Sequence, residues 1–100
     1  MSYTLRLTRQ ANDDLLRLFE FLAEKNYPAA KRAILAIDQA WSIIEESPFS
    51  CRKAEEHGSS LHRELIIPFG KAGYVALFEI ESDNIVTVLA VRHQREQDYY

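Results

Sequence analysis

Cysteine is almost absent from this chain: Cys51 stands alone, which excludes an intrachain disulfide and fits a reducing compartment. Glycine and proline are scarce, three of each, so a fibrous or disordered low-complexity chain is excluded. No apolar run approaches the roughly 20 residues that span a bilayer. The first ten residues, MSYTLRLTRQ, are charged and polar where a secretory signal would be hydrophobic. These absences predict a soluble, cytoplasmic protein. A basic excess is missing too: 12 Lys and Arg against 15 Asp and Glu leave a net charge of −3. A chain that grips nucleic acid through many phosphates usually carries a positive footprint, so direct sequence-specific nucleic-acid binding is not expected. There is no glycine-rich phosphate loop and no GxSxG elbow, and nothing points to a small-molecule cofactor.

What is present is the composition of an ordinary globular protein, 47% hydrophobic and 27% charged, in 100 residues that suffice for a single domain spanning 1–100. Tyr3 to Leu7 alternates like a strand and ends at Thr8, a good helix N-cap. From Arg9 to Lys25 the stripe Ala11, Leu15, Leu18 and Leu22 predicts an amphipathic helix, with Asp13, Asp14, Arg17, Glu20 and Glu24 off it. Leu16 and Phe21 lie on opposite flanks, widening the apolar arc toward a second partner. Asn26-Tyr27-Pro28 ends this helix and opens another, over Ala29–Glu46, in an antiparallel hairpin. In the second helix the bulky row Ala30, Ile34, Ile37, Trp41 and Ile44 is expected to meet a sheet. The small row Ala29, Ala33, Ala36, Ala40 and Ile43 is expected to admit the first helix closely.

Ser47-Pro48 stops the second helix, and Phe49–Ser60 reads as a polar loop. Strands are expected over Arg63–Phe69, Tyr74–Ile80 and Ile85–Val91, joined by turns at 70–73 and 82–84. Pro68 makes the first of these an edge or locally irregular there. The fold expected is α+β, a helical hairpin packed on a mostly antiparallel four-stranded sheet in the order β-α-α-β-β-β, with the first strand at an edge.

The residues Arg63 to Gly70 (RELIIPFG), Gly73 to Phe78 (GYVALF) and Val88 to Glu96 (VLAVRHQRE) resemble the RelE/ParE superfamily of toxins from type II toxin–antitoxin systems. The likeness is closest to the ParE branch of plasmid stabilisation proteins. It runs the length of the chain, since Leu7-Thr8 with Ala11 and Asp14-Leu15, and Pro28-Ala29-Ala30, also look like that branch. The resemblance implies a small cytoplasmic toxin neutralised by a cognate ParD-like antitoxin. For the ParE branch it implies inhibition of DNA gyrase, and for the RelE branch cleavage of messenger RNA on the ribosome.

A nuclease needs a base, an acid and cations around the phosphorane, and Arg63, Arg92, His93, Arg95, Tyr99 and Tyr100 have the residue types to fill those roles. The basic surroundings are thin, however. From Leu61 onward Arg63, Lys71, Arg92 and Arg95 face Glu64, Glu79, Glu81, Asp83, Glu96 and Asp98. Arg92 and Arg95 can equally pair with Glu96, Asp98 or Glu64, and His93 can cap the strand end. The reading taken is a gyrase-binding protein without chemistry of its own. Arg63, Arg92, His93, Arg95, Tyr99 and Tyr100 then become partner-binding residues, and Leu16, Phe21 and Tyr27 the antitoxin contacts. Cys51, His57 and His62 with Glu55 and Glu56 include metal-ligand types but lack any tight ligand pair, so no metal is expected.

Overall fold

The computed structural model describes residues 2–54 and 61–96. Strand β1 (Thr4–Leu7) leads into helix α1 (Arg9–Ala23), then α2 (Tyr27–Glu46), a 3-10 turn at Pro48–Ser50, and strands β2 (Arg52–Lys53), β3 (His62–Phe69), β4 (Ala72–Ile80) and β5 (Ile85–His93). Thr8 starts α1 by accepting the Ala11 N–H at 3.1 Å, and Asn26 starts α2 by accepting that of Ala29 at 3.0 Å. Because Asn26 is the cap, α2 begins at Tyr27, two residues before Ala29. Pro28 falls in the first turn, where its missing N–H has no helical partner to lose.

The sheet runs β1-β5-β4-β3-β2, with β1 parallel to β5 and the other pairs antiparallel. It has five strands where four were expected. The extra one, β2, lies in the stretch read as loop: two exposed residues carry no alternation to detect, and pairing of Arg52 with Glu64 and of Lys53 with Arg63 makes them a strand. β1 takes the expected edge position. β2 covers β3 only as far as Glu64, so Pro68 sits where β3 is an edge and no donor is required of it.

The core lies between the helices and one sheet face. Ala11, Leu18, Ala33, Ile37, Trp41 and Ile44 meet Leu65, Ile67, Tyr74, Ala76, Phe78, Val86, Val88 and Val91. Removal of each large apolar side chain from water contributes about 1.5–3 kcal/mol. Trp41 belongs to this core, as its stripe predicted. The helix-to-helix contact differs from expectation. Phe19 of α1 stands edge-on to Tyr27, ring centroids 6.0 Å apart, and lines an open groove with Lys31, Ile34, Leu35 and Asp38. α1 therefore approaches the Tyr27–Ile34–Asp38 side of α2; of the small row, Ala33 is buried in the core and Ala40 packs against it, while Ile43 is exposed.

β5 contains the irregularity that matters most. Leu77 pairs with Ala90 and Phe78 with Val88, leaving Leu89 as an extra residue. Before this bulge Val86 and Val88 face the helices; after it Val91 and His93 do, and Arg92 is turned to the opposite sheet face. Continued alternation would have sent Arg92 into the helix layer.

Candidate functional site

β1 pairs with β5 only through Val88, so the outer side of β5 runs on without a partner strand. Side chains complete it. The Thr8 hydroxyl donates to the Leu89 carbonyl at 2.9 Å, the Asp14 carboxylate accepts the Val91 N–H at 2.9 Å, and the Glu96 carboxylate accepts the His93 N–H at 2.8 Å. Asp14 is 1% exposed. The sequence pattern placed it among the solvated residues of α1. The structure corrects this, because an acceptor was needed under β5 and Asp14 also accepts from Gln10 at 2.7 Å.

Beyond β5 the chain folds into a tight turn. The Gln94 N–H donates to the Gly73 carbonyl at 2.9 Å, extending the β4–β5 ladder by one bond. The Glu96 N–H donates to the His93 carbonyl at 3.0 Å, and the Arg95 N–H donates to His93 Nδ1 at 3.1 Å. Arg92 Nη1 donates to the Glu96 carbonyl at 2.8 Å and, at longer range, to those of His93 and Gln94. The Glu96 carboxylate meets Arg17 of α1 at 3.2 Å. The charge pairing thus differs from what the sequence offered: Glu96 joins Arg17, and Glu64 joins Arg52 at 2.9 Å.

His93 stands perpendicular to the Tyr74 ring with centroids 5.5 Å apart. Its Nδ1 acts as acceptor, so the neutral ring carries its proton on Nε2. Burial pushes the imidazole below its ordinary value, Arg95 pushes the same way, and Glu96 opposes them. A folded-state value below the unfolded one means that the unfolded chain takes up the proton first. The stability from neutral His93 is full above about pH 6.5 and is lost as pH falls through the depressed folded value. Acidification from about pH 7.5 to pH 5 should therefore lower Tm more in the wild type than in His93→Gln. Parallel Tm profiles would remove His93 from this role.

Arg63 is not part of this turn. It pairs with Phe78, whereas Arg92 pairs with Val75, and the pleat puts these positions on opposite sheet faces. Its Nη1 donates to the Phe49 and Cys51 carbonyls at 3.0 and 2.9 Å, and its guanidinium carbon lies 5.2 Å from the centre of the Phe49 ring. Carbonyl acceptors in a loop leave no side-chain signal, which is why the sequence could not assign Arg63 this task. Arg92, His93 and Arg95 are brought together; Tyr99 and Tyr100 lie outside the described residues.

Leu16, Phe21 and Tyr27 are all exposed, at 58%, 62% and 56%, as is Leu35 at 56%, which lies off both rows of α2. Leu16 and Phe21, five positions apart, are separated by about 140° around α1 and do not form one stripe. Tyr27 and Leu35 instead border the groove beside Phe19. Phe21 follows Arg17 by one turn, on the side of α1 toward Glu96. Cys51 is buried, which pushes its thiol up, while Arg63 and the Ser50 hydrogen bond pull the other way. Among the described residues no three His, Cys, Asp or Glu side chains group as metal ligands; His62 lies 3.6 Å from Glu79, and Glu55, Glu56 and His57 lie outside those residues. Among the described residues no helix is long and apolar enough to cross a membrane.

The described chain is thus a two-helix layer on a five-stranded sheet, with a turn carrying Arg92, His93 and Arg95 after the last strand. The chromosomal ParDE TA system from P. aeruginosa shares the fold, with a TM-score of 0.74 at 16% identity over 92% of this chain and 96% of that one. Toxin RelE3 of Caulobacter vibrioides is 30% identical over 95 residues, covering 94% of this chain and 97% of the relative. The family model described as ParE toxin of type II toxin-antitoxin system, parDE, matches residues 5–98, and the chain belongs to that family.

Proposed function

We propose that this toxin acts by binding DNA gyrase and inhibiting it, and that a cognate ParD-like antitoxin neutralises it. The observation that carries the reading is the placement of the candidate catalytic groups. Arg63 and Arg92 occupy opposite sheet faces, and each guanidinium donates to backbone carbonyls. The Nδ1 lone pair of His93, the basic site of the neutral ring in this tautomer, is already taken by a backbone N–H. Such a set holds a surface in shape better than it surrounds a phosphate. The turn with Arg92, His93 and Arg95 is the gyrase-facing part. The exposed apolar residues of the helical layer, Tyr27 beside the groove and Leu16 and Phe21 on separate flanks of α1, offer the antitoxin more than one contact surface.

The test sets purified toxin against gyrase in a supercoiling assay and, in parallel, against programmed ribosomes. Inhibited supercoiling with intact message is the expected result. Message cleavage that disappears in His93→Ala or Arg63→Ala, with gyrase unaffected by the wild type, would establish the ribonuclease instead.

A further inference from the structure

We propose that Arg17 and Glu96 form a latch through which helix α1 holds the C-terminal turn in its target-engaging shape, making both of them positioning residues. The proposal rests on the reading that this turn contacts gyrase. Every polar group of Glu96 is used within the turn or on α1. One carboxylate oxygen accepts the His93 N–H at 2.8 Å, the other meets Arg17 Nη1 at 3.2 Å, its N–H donates to the His93 carbonyl and its carbonyl accepts from Arg92. Glu96 thus sets the path of residues 92–96 and, through Arg17, fastens that path to the body of the protein.

Arg17 is itself anchored, its second nitrogen lying 3.8 Å from the Asp14 carboxylate beneath β5. The order of attachment is therefore the β5 edge, Asp14, Arg17, Glu96 and then the turn with Arg95. Beyond Gln94 the sheet ladder has ended, and Arg95 and Glu96 are held in place by these side chains together with Arg92. The Arg17 and Glu96 side chains are 38% and 19% exposed. An ion pair this accessible adds little to global stability, whereas releasing it frees a turn that must be ordered again on binding.

The experiment compares wild type, Arg17→Met, Arg17→Lys, Glu96→Gln and the Arg17→Met/Glu96→Gln double variant. Each is measured for induced growth arrest, gyrase inhibition and Tm. Arg17→Met and Glu96→Gln should each lose about tenfold in potency, the equivalent of about one residue of backbone order. Their Tm should stay within about 3 °C of wild type. The double variant should lose no more than either single one, because both act through one contact, and Arg17→Lys should recover most of the loss. Single variants as potent as wild type, losses that multiply in the double variant, no recovery with lysine, or potency falling only with Tm would each overturn the latch. If wild type arrests growth without inhibiting gyrase, the gyrase reading fails alone and growth arrest still judges the latch.

Discussion

Gly73→Ala is expected to cost about 3 kcal/mol or more and to lower Tm on the order of 15 °C. Gly73 opens the second position of β4 with φ 155°, a backbone conformation that L side chains rarely adopt. A Cβ there would collide with the Ile67 carbonyl oxygen and approach the Phe69 nitrogen to 3.0 Å. Both are backbone atoms of β3, paired in register with β4, so neither can move without breaking ladder bonds. The Gly73 carbonyl also accepts the Gln94 N–H, so displacement would loosen the C-terminal turn along with the hairpin. Gly70→Ala is the control. That glycine has φ 61° with open space where its Cβ would sit, and the cost should be limited to the left-handed backbone, about 1–2 kcal/mol. Thermal unfolding by circular dichroism separates the two, and equal Tm losses would refute the steric account.

Asp14→Ala is expected to destabilise the protein by about 2–3 kcal/mol, an unusual loss for a polar residue on an amphipathic helix. The alanine leaves the Val91 N–H buried without its acceptor and takes away the partner of Gln10. Asp14→Asn keeps an oxygen within reach of Val91 and should cost about 1 kcal/mol. Chemical denaturation of both variants is the measurement. Equal losses would mean that charge, and not the hydrogen bond to β5, is what Asp14 supplies.

The two residues also mark where the sequence was readable. Element order, the first helix cap and the helical hairpin followed from residues whose local chemistry is unambiguous: Thr8 at a helix start, Pro28 at the opening of the second helix, Trp41 on a bulky stripe; the Asn26 cap, which starts α2 two residues early, was not among them. What escaped depends on pairing across the chain. Asp14 looks solvated until β5 is laid beside it. The bulge at Leu89 hides inside an apolar run, Ile85 to Val91, that looks the same with or without a change of phase, yet it decides which way Arg92 and His93 point. β2 is too short to have a period. Arg17 and Glu96 each looked like an ordinary surface charge, and only the fold places them together. The family resemblance supplied the class of protein, which periodicity alone would not have done.

The edge closed by Thr8, Asp14 and Glu96 also governs how the chain assembles in time. Two of its closing contacts join residues 81 and 77 positions apart, Thr8 to Leu89 and Asp14 to Val91, and the Arg17–Glu96 pair that holds the third in place spans 79. The β3–β4 and β4–β5 hairpins need only short turns, so their closure entropy is small and they pair early. In pulsed hydrogen exchange the Val91 N–H should gain protection after that of Ala76, and simultaneous protection would contradict this order. During that interval β5 presents a bare strand edge to any neighbouring chain. Thr8 and Asp14 thus do more than hold the finished sheet: the speed with which they dock sets how long that edge is open to a wrong partner.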